Sequence, residues 1–174
     1  MHKLIIPMGV PGCGKSTVMK ALAEELDDCA YFSRDDIRFS LLEEGEDYFA
    51  HEDEVTDIFF KGISNSIWEH EYTIADATHL TPRSRAQLFC NIDADTPYEV
   101  WGVWMDCSKE VCIDRNEQRE GRSCVPKRVI NNFYRVKRYP EGVELCWFDG
   151  GIIYIDTAES EAWTNVKIIK DQVS

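Results

Sequence analysis

Gly9-Val10-Pro11-Gly12-Cys13-Gly14-Lys15-Ser16-Thr17 follows directly on the apolar run Lys3–Met8 and leads into a helical pattern at Lys15–Leu26. The segment fits G-x-x-x-x-G-K-[ST], the Walker A loop, in the context that motif needs: a hydrophobic strand before it and a helix after it. Its glycines let the backbone turn tightly enough for successive N–H groups to converge on phosphate oxygens. The helix start adds a positive dipole end. Gly9, Val10, Pro11, Gly12, Cys13, Gly14, Lys15, Ser16 and Thr17 are therefore the predicted nucleotide-binding residues. Lys15 is placed to reach the β- and γ-phosphates of ATP, and the Ser16 hydroxyl to ligate Mg²⁺.

The rest of the chain is consistent with such a loop. Short runs rich in Ile, Val, Tyr and Trp predict strands at Lys3–Met8, Ala30–Ser33, Tyr72–Asp76, Glu99–Asp106 and Gly151–Asp156. Helical patterns lie between them at Lys15–Leu26, Asp35–Glu43, His51–Glu69, Thr81–Ile92, Ser108–Glu120 and Pro126–Arg138. Thr81-Pro82 supplies an N-cap and a first-turn proline. After the last strand only a short tail is expected. Strands alternating with helices predict an α/β fold: three layers, a parallel five-stranded sheet and helices on both faces. With 174 residues and no linker, the chain reads as one domain.

Composition narrows the functional classes. No apolar run approaches the ~20 residues of a membrane span, and no signal-peptide core precedes the glycine loop, so a cytoplasmic protein with no membrane partner is expected. Seven cysteines, an odd number without any Cys-x-x-Cys, argue for reduced thiols rather than disulfides or zinc. Cys13 reads as a small filler within the loop, and the five tryptophans as core or half-buried residues. The net charge of −13 opposes non-specific attraction to nucleic acid. Yet residues 115–138 carry eight basic residues against Glu117 and Glu120, which suits an anionic partner or a solvated helix face. No Asn-Lys-x-Asp guanine-reading motif is present, so a small phosphotransferase fits better than a GTPase.

A second cluster follows the second strand: Ser33-Arg34-Asp35-Asp36-Ile37-Arg38. A carboxylate just past the end of a parallel strand lies at the crevice where such sheets bind ligands. Asp35 and Arg38, three apart on a helix, share a face. The pair suits proton abstraction from an alcohol beside a grip on an anionic group. It equally suits a helix cap with a surface ion pair. His79, after the third strand, is a further candidate for the acceptor pocket.

The loop Gly-x-Pro-Gly-x-Gly-Lys-Ser-Thr, the Ser-Arg-Asp-Asp-x-Arg-x-Ser element at 33–40, Ile74-Ala75-Asp76-Ala77-Thr78, and Arg115-Asn116-x-x-Arg119-x-Gly121-Arg122-x-x-Val125-Pro126 occur in this order. Together they resemble the kinase domain of bacteriophage polynucleotide 5′-hydroxyl kinases. The resemblance spans residues 3–138 and implies a P-loop NTPase fold with a helical lid at about 115–126. It implies Asp35 as the general base, with Lys15 and Arg119 stabilising the phosphoryl group in flight. It also implies Asp76 beside Ser16 at Mg²⁺, Arg38 and Thr78 toward the acceptor, and Arg115 and Arg122 on the lid over ATP. The lid carries an insertion between Arg119 and Val125 relative to that family, which leaves open the arginine that meets the γ-phosphate. Asp149-Gly150-Gly151 is not a phosphatase motif, so a kinase domain without a phosphatase domain is expected. The expected activity is transfer of the γ-phosphate of ATP to a hydroxyl, foremost a polynucleotide or oligonucleotide 5′-OH. Alternatives are the hydroxyl of a nucleoside, a sugar, an aminoacyl-tRNA or a hydroxymethylated base in DNA. A regulatory ATP-binding switch is the reading from another class.

Overall fold

The computed structural model describes residues 1–174, with the side chain of Arg122 left out of the description. Five strands, β1 (His2–Met8), β2 (Cys29–Ser33), β3 (Tyr72–Asp76), β4 (Tyr98–Asp106) and β5 (Gly151–Asp156), form one parallel sheet in the order β2-β3-β1-β4-β5. Lys3 lies level with Tyr72 on one side and Glu99 on the other. β1 is central and β3 and β4 flank it, and the sequences of β1 and β3 show why they are interior. Leu4, Ile5, Ile6 and Ile74 are wholly buried, as expected of strands covered on both faces. β5, at an edge, instead alternates buried Ile153 and Ile155 with exposed Tyr154.

The helices are α1 (Lys15–Glu25), α2 (Arg34–Leu41), α3 (Glu52–Glu69), α4 (Pro82–Asn91), α5 (Lys109–Glu117), α6 (Lys127–Val136) and α7 (Ala162–Val173). Right-handed crossovers place α1 on one face of the sheet and α3 and α4 on the other. A Ser64 hydroxyl on α3 accepts from the Asp93 N–H just past α4, joining those two helices. α7 returns to pack along α1. It is the element that the sequence reading missed, having expected a short tail there. Val166, Ile169 and Val173 give it a buried stripe, but exposed Trp163 and Ile168 interrupt that pattern when it is read without the structure. Trp68 and Trp163, 53% and 61% exposed, likewise depart from the expectation of core or half-buried tryptophans.

A buried ion pair fixes the far side of the sheet's carboxyl end. Arg85 on α4 is fully buried and donates through Nε and Nη2 to the two Glu144 oxygens, each at 2.9 Å. Its Nη1 donates to the carbonyls of His79 and Arg138, both at 3.0 Å. One guanidinium thus ties the turn after β3, the end of α6 and the 3-10 turn at Gly142–Trp147 together. Each of its bonds is charge-assisted, the strong class of protein hydrogen bond.

Candidate active site

The chain reverses sheet direction around β1, whose neighbours β3 and β4 both come later in sequence. The carboxyl end of β1 therefore faces the crevice where parallel sheets take ligands. Residues 9–14 fill that position. Gly12 has φ of +90°, and a Cβ there would stand 2.2 Å from the Cys112 carbonyl oxygen of α5, so only glycine fits. Cys13 lies beneath the loop, 1% exposed, with burial pushing its thiol up to about 11. It is a filler rather than a reactive thiol. α1 then begins with no capping side chain and no acidic residue in its first turn. Its first amides are left for an anion, which is a local departure from capping rules of the sort found at functional sites.

Lys15 bridges from the start of α1 to Asp76 at the end of β3. The Asp76 side chain is 1% exposed and also accepts from the Tyr31 hydroxyl at 2.5 Å and from Ser16. Burial alone would push its carboxyl up, but Lys15, Tyr31 and Ser16 outweigh that and hold it below the usual carboxylate range. Burial likewise works against the charge on Lys15, and Asp76 more than restores it, with smaller help from Cys13 and Asp35.

Asp35 lies in the first turn of α2 but is not the cap. The Ser33 hydroxyl takes that role, accepting from the Asp36 N–H at 3.1 Å. The Asp35 carboxylate is 65% exposed, and its Oδ1 accepts from Arg38 Nη1 at 2.6 Å and the Tyr48 hydroxyl at 2.8 Å. Arg38 is not the available phosphate grip that the sequence implied. It is 5% exposed, and its Nε and Nη2 donate to Glu52 Oε2 at 3.2 and 2.7 Å. The other Glu52 oxygen takes Arg34 at 2.6 Å. Burial pushes the Glu52 carboxyl up, and the two arginines pull it down further, to a net lowering.

Arg115 and Arg119 stand on the opposite side of the loop. With Gly14, Thr17, Ser160 and Asn165 they line a cavity of about 300 Å³ beside the phosphate loop. Arg115 donates to the Thr157 carbonyl at 2.8 Å, and Arg119 is exposed. Asn116, buried between them, closes the loop between α5 and α6 by accepting from the Val125 N–H at 2.9 Å and donating to the Val125 carbonyl at 2.7 Å. The Arg122 side chain lies outside the described residues. Thr78 is half-buried, and its carbonyl accepts from the Gly9 N–H at 3.3 Å. His79 does not line the acceptor side. It is 5% exposed, with Nε2 3.2 Å from the Ala75 carbonyl oxygen.

The sequence reading missed Glu52, Tyr31 and Tyr48, and the cavity wall at 157–165. The exposed acidic run before α3 concealed Glu52, and only the fold brings it to Arg38.

A family model described as AAA domain, AAA_33, matches residues 4–139, most of the chain and all of the loop, Asp35, Asp76 and lid segments. The chain belongs to the AAA_33 family. No curated protein matches it. Among solved structures, this AAA_33 chain is similar to an unliganded sugar kinase from Janibacter sp. HTCC2649, with TM-score 0.69, 16% identity, and 99% of this chain and 95% of that one covered. It is similar to a fungal RNA kinase, with TM-score 0.69, 17% identity, and 99% and 84% covered. It is also similar to Chaetomium thermophilum Kti12 in complex with ADP-AlF3, with TM-score 0.66, 17% identity, and 98% and 99% covered. At such identities the likeness is one of fold: a P-loop, nucleotide-binding, kinase-like fold.

Proposed function

We propose that this protein is an ATP-dependent phosphotransferase that moves the γ-phosphate to a hydroxyl. The observation that carries the reading is the exposed Asp35 carboxylate, held by Arg38 and Tyr48 two residues past the level of Asp76, the partner of Lys15. A base must stand within reach of the hydroxyl that attacks, and the lysine beside the phosphate that is attacked. Asp35 takes the hydroxyl proton. Lys15 leaves Asp76 for the β- and γ-phosphates, and Arg119 contributes positive charge around the loose transition state. Arg115 and the cavity beside Thr17 and Asn165 receive the nucleoside portion of ATP.

Ser16 and Asp76 fit Mg²⁺ in chemistry, since a hydroxyl and a carboxylate already in contact are the oxygen donors that ion prefers. Among the described residues no group of three or more His, Cys, Asp and Glu forms a metal cage. That accords with an ion held largely by phosphates and water. When bound, Mg²⁺ neutralises charge on the β- and γ-oxygens.

The resemblance to polynucleotide 5′-hydroxyl kinases supports a nucleic-acid end as acceptor. The engagement of Arg38 by Glu52 favours the second reading, a different hydroxyl, because a neighbouring phosphate finds its partner already bound. Among the described residues no helix is long and apolar enough to cross a membrane. Transfer of labelled γ-phosphate to an acceptor panel tests the activity. Asp35→Asn should slow transfer by ~10²–10⁴ while ATP affinity is retained. Transfer at the wild-type rate by that variant would remove Asp35 from the role of base.

A further inference from the structure

The acceptor side of the cleft is arranged against negative charge. Arg38 spends its donors within the protein: Nε and Nη2 on Glu52, Nη1 on Asp35 and on the Tyr48 hydroxyl at 2.9 Å. The Tyr48 ring centroid lies 4.5 Å from the guanidinium carbon and that of Phe49 5.7 Å, so two aromatic rings crowd the group as well. Arg34 is held by Glu52 and by the Thr56 hydroxyl at 2.7 Å. One carboxylate, delivered by the first turn of α3, therefore occupies both arginines of the 33–40 element. Around it, residues 43–54 hold seven Asp and Glu and no Lys or Arg. Tyr48 and Phe49 meet edge to face at 4.8 Å and are 37% and 63% exposed beside Asp35.

We propose that the acceptor is a small hydroxyl compound without negative charge, seated against Tyr48 and Phe49, and that Glu52 sets this preference by occupying Arg34 and Arg38. The inference rests on the phosphotransferase reading and specifies its acceptor. In the reaction, the acceptor oxygen forms a bond to the γ-phosphorus of ATP. The bond from that phosphorus to the β,γ-bridging oxygen breaks with its electron pair leaving on ADP, and the hydroxyl proton passes to Asp35. An anionic acceptor must displace Glu52 from charge-assisted bonds and then lie against the carboxylate it displaced. A neutral or cationic acceptor needs no such exchange. It gains from the exposed rings, on whose faces a sugar ring, a base or a cation packs well.

The test is ADP release from ATP and Mg²⁺ with matched acceptors: adenosine against adenosine 3′-monophosphate, glycerol against glycerol 3-phosphate, and glucose against gluconate. Glucosamine and a 5′-hydroxyl oligonucleotide complete the panel. The uncharged or cationic compounds should include the best acceptor, outrunning its anionic counterpart by about tenfold or more, the scale of a like-charge contact. Glu52→Gln should narrow that ratio. Faster turnover of the anionic member, or of the oligonucleotide, overturns the proposal, as does a panel in which no uncharged or cationic compound stimulates ADP release although ATP binds. An unchanged ratio in folded Glu52→Gln removes Glu52 as its cause, and the wild-type ratios decide the charge preference even where that variant does not fold. Absence of ATP binding in Mg²⁺ would remove the phosphotransferase reading itself, and this inference with it.

Discussion

Gly12 and Gly45 share nearly the same backbone conformation, φ +90° and +87°, and differ in what a side chain would meet. At Gly45 a Cβ has nothing within 4 Å. At Gly12 it would stand 2.2 Å from the Cys112 carbonyl oxygen and 3.1 Å from the Cys112 Cα, at a fully buried residue of α5. Gly45→Ala thus measures left-handed strain alone, ~1–2 kcal/mol, partly offset by ~0.4–1 kcal/mol from a stiffer unfolded chain. Gly12→Ala adds overpacking against backbone, about 1–3 kcal/mol more. At ~2–4 °C per kcal/mol for a chain of this size, the melting temperature should fall by a few degrees in Gly45→Ala and about 10 °C in Gly12→Ala. Circular-dichroism melts supply the comparison, and ATP titration with Mg²⁺ supplies the functional arm. Gly12→Ala should also weaken ATP by about tenfold or more, since a loop pushed off α5 misaims its amides. Equal melting shifts in the two variants would refute the argument that close approach to α5, rather than φ, is what reserves position 12 for glycine.

Two further outcomes follow from the site. His79 is held at about 4, against 6.5 for the free side chain, first by burial and then by the charge of Lys15. Between those values the unfolded chain binds the additional proton, so stability is full above 6.5 and is lost as pH falls toward 4, by about 3 kcal/mol. His79→Asn, which tolerates the φ of +45° at this position, should flatten that stretch of a urea-melt pH profile. Arg119→Ala should leave the melting temperature unchanged because the side chain is exposed, yet lower the transfer rate by ~10³ or more, read by single-turnover kinetics.

Much of the sheet was legible because its signals are local. The β1 and β3 runs have apolar centres, Leu4–Met8 and Ile74-Ala75, and their lengths follow from the sequence within a residue or two. The phosphate loop is equally local: nine consecutive residues carry the turn, the cation and the hydroxyl. α7 was not legible, because its buried stripe of Val166, Ile169 and Val173 exists only against α1. The Arg38–Glu52 pair was hidden for a related reason. Spacing showed the Asp35 contact three residues away, but Glu52 is fourteen residues on, across an irregular stretch whose path no local pattern sets. The cavity beside the phosphate loop was half visible: Gly14, Thr17, Arg115 and Arg119 belong to motifs, while Ser160 and Asn165 reach it through the fold of the final segment.

The two carboxylates of the cleft show how surroundings divide their roles. Ser33 and Asp76 are level in the β2–β3 register, so Asp35 lies only two residues past the level of Asp76. Asp76 is enclosed and holds Lys15, Tyr31 and Ser16; Asp35 is largely exposed and shares its oxygen with Arg38 and Tyr48. A buried carboxylate stripped of its only cation would cost several kcal/mol, which would bind Lys15 too firmly to release it to a triphosphate. Tyr31 and Ser16 lower that cost, because their hydrogen bonds stay on Asp76 when the lysine leaves. Asp35 needs no such support, since water reaches it until an acceptor arrives. Under the proposed phosphotransfer, one lysine is a latch before ATP binds and a phosphate ligand afterwards, while the exposed acid two residues beyond remains available for a proton.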